Sequence, residues 1–307
     1  MKKILVAGSS NIDFVLRVAE MPKKGETIHT RSFHKIPGGK GANQACACGK
    51  LGGDCVFLSA VGQDGLGDIV LNSLRSVNVD VSKVLMDADT PSGMAVIAVN
   101  DEGENSIMIV PGANALCDKA YLEANADSLD ASDYVLVQLE TPNDDIYEFL
   151  EKAKSQGKIT ILNPAPAPEY IPDHVLNNLD YITPNETELA KISGMKTDTL
   201  EEIETAAKAL LKKGVKNVLV TIGARGAFLC NEKDAKVYPT IKVTPVDTTA
   251  AGDTFNAGFV VGLASDMPVE NAIKFANVAA SLSTTRPGAQ PSVPNRDEVD
   301  SVYSELI

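Results

Sequence analysis

Residues 200–221, LEEIETAAKALLKKGVKNVLVT, contain the pattern that decides the fold, an amphipathic helix followed by a short apolar strand. The helical period runs from Leu200 to Lys213, with acidic residues at its start and Lys212, Lys213 and Gly214 at its end. This polarity agrees with the helix dipole and with a glycine C-cap. The strand Asn217 to Thr221 follows at once, so the segment predicts one step of a β-α-β repeat.

The same alternation recurs along most of the chain. Five further runs have the length and composition of strands: Ile4 to Ala7, Cys55 to Ala60, Tyr134 to Gln138, Ile159 to Leu162 and Tyr181 to Thr183. Short apolar strands that alternate with helices are typical of a mainly parallel sheet with helices on both faces. We therefore predict an α/β fold of three layers, αβα, in which residues 1–307 form one domain.

Two segments break the alternation. Residues 14–36, Phe14 to Ile36, and residues 92–110, Ser92 to Val110, show extended patterns without an intervening helix. We expect them to form a small antiparallel β-sheet that projects from the domain. Because an uncovered strand edge must be paired or protected, this sheet would serve as a lid or as a dimerisation surface.

The composition excludes several classes of protein. Hydrophobic residues make up 44% of the chain, which is enough for a core and argues against disorder. The 28 Lys and Arg against 41 Asp and Glu give a net charge of -13 over 307 residues. Because binding to a phosphate backbone depends on clustered cations, we expect no nucleic-acid partner. A small anion would need local donors that overcome this charge.

The cysteines indicate a reducing compartment. Five cysteines are an odd number, and none of the three histidines has zinc-site spacing from them, so buried free thiols are expected. The apolar run after Lys2 and Lys3 ends at Ser9, which is too short for the usual secretory leader of about 7 to 15 apolar residues. No run approaches the roughly 18 apolar residues of a membrane span. We predict a cytoplasmic location and no membrane partner.

A glycine-rich segment, PGGKGAN at residues 37–43, precedes an Ala- and Cys-rich helix. Glycines allow a backbone to approach a ligand closely, and a helix start presents unpaired N–H groups. A tight turn with a helix cap would show the same pattern, and from these residues alone both interpretations stay open. The Walker pattern does not occur, and Gly65-Leu66-Gly67 fails the dinucleotide fingerprint because Val70 occupies its last position.

The segment DTTAAGDTF, residues 247–255, has the clearest chemical pattern. A helix should begin near Gly252, which would aim the N–H groups of Ala250 to Asp253 at one point. Such a group of donors suits an anion, and Asp253 beside it could accept a proton from an attacking hydroxyl. These are the two tasks of phosphoryl transfer. The alternative is that Asp253 only complements the helix dipole.

Together and in this order, the two segments resemble the signatures of the ribokinase (PfkB) family of carbohydrate kinases. The resemblance extends along essentially the whole chain. Its further matches are Asn11 and Asp13 after the first strand, Gln138-Leu139-Glu140, Asn163-Pro164-Ala165-Pro166, Thr183-Pro184-Asn185-Glu186, Thr221 to Gly226 and Gly288-Ala289-Gln290-Pro291-Ser292.

This resemblance implies transfer of the γ-phosphate of MgATP to O5 of D-ribose, with Asp253 as general base and the amides of Ala250, Ala251 and Gly252 as an anion hole. The residues implied around the sugar are Asn11, Asp13, Gly39, Lys40, Gly41, Ala42, Asn43, Glu140 and Asp253. Amides and carboxylates suit the recognition of a polyol. Turn formation by Asn11 and Asp13, and helix capping by Glu140, are the alternatives.

The resemblance also implies the sites of the nucleotide and of two metal ions. For ATP it implies Asn185, Thr221, Ile222, Gly223, Ala224, Arg225, Gly226, Gly252, Asp253 and Asn277. Asn185 and Glu188 would act on Mg²⁺ largely through water, which suits an ion that keeps part of its hydration shell. For K⁺ it implies Asp247, Thr249, Ser283, Arg286, Gly288 and Ser292.

Alternatives remain for each part of this assignment. Asn185 could be a helix N-cap, residues 223–226 an ordinary turn and Arg286 a surface cation.

Lys40, Arg225 and Mg²⁺ are expected to supply the local positive charge that attracts ATP. We expect a homodimer through the projecting sheet. The rival functions are a related kinase that acts on deoxyribose, another sugar or a nucleoside, and a sugar-binding protein without catalysis.

Overall fold

The structure is a computed structural model that describes residues 1–306. Its strands, in chain order, are β1 (Lys3–Ala7), β2 (Asn11–Arg17), β3 (Ser32–Gly38), β4 (Asp54–Leu58), β5 (Ala60–Gly62), β6 (Leu85–Asp87), β7 (Gly93–Val99), β8 (Asn105–Val110), β9 (Tyr134–Val137), β10 (Ile159–Leu162), β11 (Tyr181–Ile182), β12 (Asn217–Thr221), β13 (Ala227–Asn231) and β14 (Ala235–Tyr238).

The α-helices, in the same order, are α1 (Lys40–Lys50), α2 (Leu66–Arg75), α3 (Lys119–Ala124), α4 (Ala126–Asp130), α5 (Asn143–Ser155), α6 (Asp173–Leu176), α7 (Glu186–Ser193), α8 (Leu200–Lys212), α9 (Ala251–Ala264), α10 (Val269–Ser283) and α11 (Arg296–Tyr303). Helix α8 confirms the period that the sequence predicts. It begins at the capping box of Thr199 and Glu202, and Gly214 follows its end with φ 106°.

The main sheet has eight strands in the order β14-β13-β12-β11-β10-β9-β1-β4. The pairs that join β4, β1, β9, β10, β11 and β12 are parallel, whereas β13 pairs antiparallel with both β12 and β14. Each of the six strand candidates contributes a strand to this sheet, so the predicted mainly parallel α/β fold is confirmed; the candidate Cys55 to Ala60 is divided, since Ala60 begins β5, which pairs with β6 in a separate two-stranded sheet. The pattern did not predict the edge hairpin.

The two faces of this sheet carry separate cores. Along β1, Ile4 and Val6 pack into one core with α1, α2, α9, α10 and α11, whereas Leu5 and Ala7 pack into the other with α3 to α8. This division follows from the two-residue period of a strand. The result is the three-layer αβα arrangement, and the carboxyl ends of the parallel strands meet at one edge of the sheet.

A second sheet has four strands in the order β3-β2-β7-β8. It covers the two segments that break the α/β alternation, although β2 begins at Asn11 and β3 ends at Gly38. The expectation of a wholly antiparallel sheet is wrong, because β2 and β7 pair in parallel. That pairing arises because a long connection through α1 and α2 separates the two hairpins. All residues of the edge strand β8 are exposed.

The cysteines agree with the expectation of buried thiols, since all five are free and buried. Within residues 1–306, no helix has both the length and the apolar character required to cross a bilayer.

Candidate active site

The starts of α1 and α9 meet at Asp253. Asn43 donates from Nδ2 to one carboxylate oxygen of Asp253 over 3.1 Å, and Gln44 donates from Nε2 to the other over 3.0 Å. Both acceptor atoms of Asp253 therefore face α1, which argues against a role limited to the dipole of α9. The glycine-rich segment and the DTTAAGDTF segment, about 210 residues apart in sequence, form one site.

Asp253 lies in a buried position, with 8% of its surface exposed. Burial raises the pKa of this carboxyl, while the Lys40 ammonium and the amides of Gln44 and Asn43 oppose the rise and Glu140 adds to it. A raised pKa brings a carboxylate closer to the basicity that proton abstraction near neutral pH requires. The surroundings of Asp253 thus suit a general base.

The backbone before α9 makes a sharp turn, because Ala250 adopts the left-handed conformation with φ 59°. The N–H of Ala251 donates to the carbonyl of Thr248 over 3.2 Å, so this member of the expected anion hole is already bonded. Among residues 1–306, nothing accepts from the N–H groups of Gly252 and Asp253. These two donors, with Ala250, remain available to an anion.

A cavity of about 190 Å³ lies in front of this helix start. The cavity is lined both by the predicted base and by residues predicted to bind the nucleotide. It is open at Gly252, where an added Cβ would contact nothing within 4 Å. The lining residues are Lys40, Asn163, Ala165, Thr183, Asn185, Glu188, Thr221, Thr248, Ala250, Ala251, Gly252, Asp253 and Asn256.

The start of α1 lies close against the β1–β2 connection. Gly39 has φ 87°, and a Cβ there would come within 2.8 Å of the backbone nitrogen of Asn11. At Gly41 the nearest backbone atom, the carbonyl carbon of Gly8, would lie at 2.5 Å. Only glycine fits both positions, which explains the pattern of residues 38–41. This packing holds the start of α1 against Ser9, whose carbonyl accepts from the N–H of Ala42 over 2.8 Å.

The carboxylates of the predicted sugar site converge on this packing. Glu140 accepts from the Ser9 hydroxyl over 2.6 Å and from the Lys40 N–H over 3.0 Å, so it does not cap α5. Asn11 and Asp13 lie in β2, so they are not turn formers. Burial, and then the charge of Glu140, raise the pKa of Asp13 to about 6.

Asn114 is a site residue that the sequence did not indicate. Its Nδ2 donates to the Oδ1 of Asn11 over 2.8 Å, and its Oδ1 accepts from the N–H of Ser10 over 2.7 Å. Because its own orientation is fixed by a backbone donor, Asn114 fixes the amide of Asn11, whose Nδ2 is left for a ligand. No local pattern marks Asn114.

On the nucleotide side, Asn185 has the role that was named as its alternative, that of a helix N-cap. Asn185 is the N-cap of α7 and forms a capping box with Glu188. Both side chains nevertheless line the cavity, as does Thr221. Burial is the largest influence on Glu188 and raises the pKa of its carboxyl.

The loop of residues 222–226 is a short 3₁₀ turn that connects β12 to β13. Arg225 within it pairs with Glu186, which lies in the first turn of α7, and its side chain stays 45% exposed. The pair joins the loop to α7. Asn277 is buried and donates to the carbonyl of Tyr238 over 2.8 Å, and it does not line the cavity.

Two of the residues predicted for K⁺, Thr249 and Gly288, contact the carboxylate of Asp247. One of its oxygens accepts from the N–H and hydroxyl of Thr249 over 2.9 and 2.6 Å, and the other accepts from the N–H of Gly288 over 2.8 Å. Burial, the largest single influence, acts to raise the pKa of Asp247, but the hydrogen bonds from Thr249 and Gly288 and the charge of Arg17 together lower it. The loop that Gly288 and Ser292 share therefore lies directly beside the turn before α9.

The other members of this set have partners of their own. The carbonyl of Ser283 accepts from the N–H of Arg286, the hydroxyl of Ser292 donates to the carbonyl of Ala289, and Arg286 pairs with Glu298. Lys50, which sequence reasoning missed, donates to the carbonyls of Gln290 and Val293 over 2.8 and 3.0 Å. The end of α1 thus holds the same loop.

Comparison with known proteins agrees with this geometry. Residues 1–296 match the model of the pfkB family carbohydrate kinase. A ribokinase of Staphylococcus aureus (strain COL) is 37% identical over 98% of this chain and 99% of its own length. A deoxyribokinase of Salmonella typhi is 36% identical, over 98% of each chain.

Among solved structures, the Arabidopsis thaliana ribokinase complexed with ribose and ATP superimposes with a TM-score of 0.94. It is 34% identical, and the match covers 98% of both chains. The family model, the relatives and the fold agree along nearly the whole length. The chain belongs to the pfkB family of carbohydrate kinases.

Proposed function

We propose that this protein is a kinase that transfers the γ-phosphate of ATP to O5 of D-ribose and produces D-ribose 5-phosphate. The observation that carries the proposal is the buried carboxylate of Asp253 at the start of α9, beside a cavity and two N–H groups that have no acceptor in the described part of the chain. Ribokinase relatives at 37% identity, and the likeness to a ribokinase complexed with ribose and ATP, support the choice of substrates.

In the proposed reaction, Asp253 accepts the proton of the attacking hydroxyl. Its two oxygens are held by Asn43 and Gln44, so the carboxylate has one orientation. The N–H groups of Gly252 and Asp253 then donate to the oxygens of the transferring phosphoryl group, where negative charge must be stabilised. Lys40, which lines the same cavity, adds a positive charge on that side.

Recognition of the sugar is assigned to the groups around the start of α1. Asp13 and Glu140 supply acceptors for hydroxyl protons, and the Nδ2 of Asn11 supplies a donor. A site that bonds each hydroxyl leaves a buried group unpaired when a hydroxyl is missing, so it selects ribose over 2-deoxyribose. The deoxyribokinase relative makes deoxyribose the second candidate.

Two metal ions are part of the proposal. The oxygen donors of Asn185 and Glu188 suit Mg²⁺, and because both are engaged in the capping box they would hold it through water. When bound with ATP, Mg²⁺ neutralises charge on the phosphates. The carboxylate of Asp247 and the carbonyls near Ser283, Arg286 and Gly288 are hard oxygen donors that suit K⁺.

We further propose a homodimer through the four-stranded sheet. Four consecutive side chains of the edge strand β8 are apolar and 42 to 63% exposed: Ile107, Met108, Ile109 and Val110. An exposed apolar edge is a ready site for pairing with a second copy. Sedimentation at micromolar concentration should give the dimer mass, and a monomer alone would contradict it. We also propose a cytoplasmic location, which the free thiols indicate.

The central test is ADP formation in the presence of MgATP and a panel of sugars. Ribose should stimulate ADP release above 2-deoxyribose and above nucleosides, and the Asp253→Asn variant should bind ribose yet lose about 10² to 10⁴ in turnover. Preference for deoxyribose would change the substrate, and ribose binding without ADP release would indicate a binding protein. Full turnover in Asp253→Asn would remove Asp253 as the base.

A further inference from the structure

A chain of buried amides crosses the carboxyl ends of three neighbouring strands of the main sheet. Gln138 follows β9, Asn163 follows β10 and Thr183 follows β11. Gln44 reaches them from α1 and has no exposed surface. The chain ends on Asp253, to which Gln44 donates. Buried side-chain networks of this kind fix orientation strongly when their members are bonded.

The direction of every bond in this chain is determined by one backbone group. The carbonyl of Thr183 can only accept, so the Nδ2 of Asn163 must face it, at 2.9 Å. The Oδ1 of Asn163 then faces Gln44 and accepts from its Nε2 at 3.0 Å. Gln44 consequently presents its NH₂ group to Asp253 as well.

The other end of Gln44 completes the same order. Its Oε1 accepts from the Nε2 of Gln138 over 2.6 Å. If the amide of Gln44 were reversed, its oxygen would face the oxygens of Asp253 and Asn163, and two amino groups would meet at Gln138. The order is therefore the one arrangement in which each of these contacts joins a donor to an acceptor.

The chain also reaches the helix start from the opposite side. The hydroxyl of Thr183 donates to the Oδ1 of Asn256 over 2.5 Å, and the Nδ2 of Asn256 donates to the carbonyl of Gly252 over 2.9 Å. The carboxylate of Asp253 and the backbone of Gly252 are thus held by one set of polar groups.

We propose that Gln44 is a positioning residue for the reaction, which keeps one oxygen of Asp253 bonded to a neutral donor whose direction is set by Asn163. The inference rests on the proposed function, because it takes Asp253 as the base. Asn43 holds the second oxygen but also belongs to the predicted sugar site. Gln44 is fully buried, does not line the cavity and touches the base itself, so we assign its effect on the reaction to its bond with Asp253.

Removal of this donor should alter the basicity of Asp253. The charged groups that face Asp253 are Lys40 from α1, Glu140 after β9 and Glu188 from α7. They stay in place when Gln44 is changed. Burial already raises the pKa of Asp253, and the Gln44 amide opposes that rise. Without the amide, a larger fraction of Asp253 is protonated near neutral pH and cannot accept a proton.

The test compares the pH dependence of kcat in the wild type and in Gln44→Met, with ribose and MgATP saturating. The acid limb should move upward by about one pH unit, so that kcat falls about tenfold on that limb and recovers at alkaline pH. The KM for ribose should change less than threefold. Gln138→Met is the matched control, because it loses a bond of the same chain and leaves the donor to Asp253.

In Gln138→Met, the acid limb of the pH profile of kcat should move by less than half as much as in Gln44→Met. An unmoved limb in Gln44→Met, or an equal shift in both variants, would overturn the proposal. If Gln44→Met does not fold, Gln44→Glu decides, because its carboxyl must share a proton with Asp253 and should also move the limb upward. Full turnover in Asp253→Asn would instead refute the base itself, so the two failures are distinguishable.

Discussion

Replacement of Asp13 by Asn should stabilise the protein while it weakens the sugar site. Asp13 lies in β2, where burial and then Glu140 raise its pKa from 3.8 to about 6. A shift of this size corresponds to about 3 kcal/mol of unfavourable free energy when the carboxylate is charged in the folded state. The asparagine side chain has the same shape and carries no charge.

The effect depends on pH with a definite sign. Below pH 3.8 both the folded and the unfolded state hold the proton, so Asp13 costs nothing. Between 3.8 and about 6 the unfolded state loses the proton first, which stabilises it relative to the folded state. Above pH 6 the charged carboxylate of Asp13 destabilises the folded state by the full amount. The Asp13→Asn variant should therefore gain about 2 to 3 kcal/mol at pH 7.5, and the gain should be about 1 to 2 kcal/mol smaller at pH 5.

Urea unfolding at the two pH values measures this difference. Asp89→Asn, at an exposed carboxylate, is the control and should show no comparable pH-dependent gain. The KM for ribose should rise in Asp13→Asn and stay unchanged in Asp89→Asn. A gain that is equal at pH 5 and pH 7.5, or a loss of stability at pH 7.5, would refute the reasoning.

Three further substitutions test the packing around the site. Gly39→Ala should destabilise the fold by about 1 to 3 kcal/mol and raise the KM for ribose, because its Cβ meets backbone atoms at φ 87°. Gly25→Ala is the control for backbone strain alone, since Gly25 has φ 82° and a Cβ there has nothing within 4 Å. Equal losses of stability in the two variants would contradict the packing argument. Lys50→Met should raise the K⁺ concentration that gives half-maximal rate severalfold, since Lys50 holds the carbonyls of Gln290 and Val293; an unchanged value would separate that loop from the ion. Ile109→Lys, at a side chain 61% exposed on β8, should give a monomer by sedimentation, and an intact dimer would exclude β8.

The fold was predictable where the signal is local. Helix α8 carries its start in Thr199 and its end in Gly214, and the parallel strands are short apolar runs between such helices. For Asp253 the local pattern predicted a carboxylate in the first turn of an apolar helix, but it did not separate a base from a helix cap, and the role as base came from the resemblance to the family. The parallel pairing of β2 with β7 was not predictable, since no local pattern specifies which strand a hairpin joins.

The supporting residues were missed because their partners are distant in sequence. Asn114 bonds to Asn11 across 103 residues, and Lys50 reaches Gln290 across 240. Gln44 stands next to Asn43, yet a glutamine on an apolar helix shows its role only when Asn163 and Asp253 are placed beside it. The pairing of Arg225 with Glu186 was missed for the same reason, because it depends on how α7 packs against the following turn.

The charge of the chain makes the site depend on cations that arrive with the substrate. Within residues 1–306 the lining of the cavity contains one cationic side chain, Lys40, against the carboxylates of Glu188 and Asp253. Lys40 has its pKa raised despite burial, because Asp253, Glu140 and Glu188 favour its charged form. Against a net charge of -13, the attraction that the cavity itself offers ATP is local and comes from Lys40 and the N–H groups at the start of α9. Mg²⁺ adds positive charge to both, so affinity for ATP without Mg²⁺ should be weaker than for MgATP. Calorimetric titration of both forms that gave equal affinities would contradict this account.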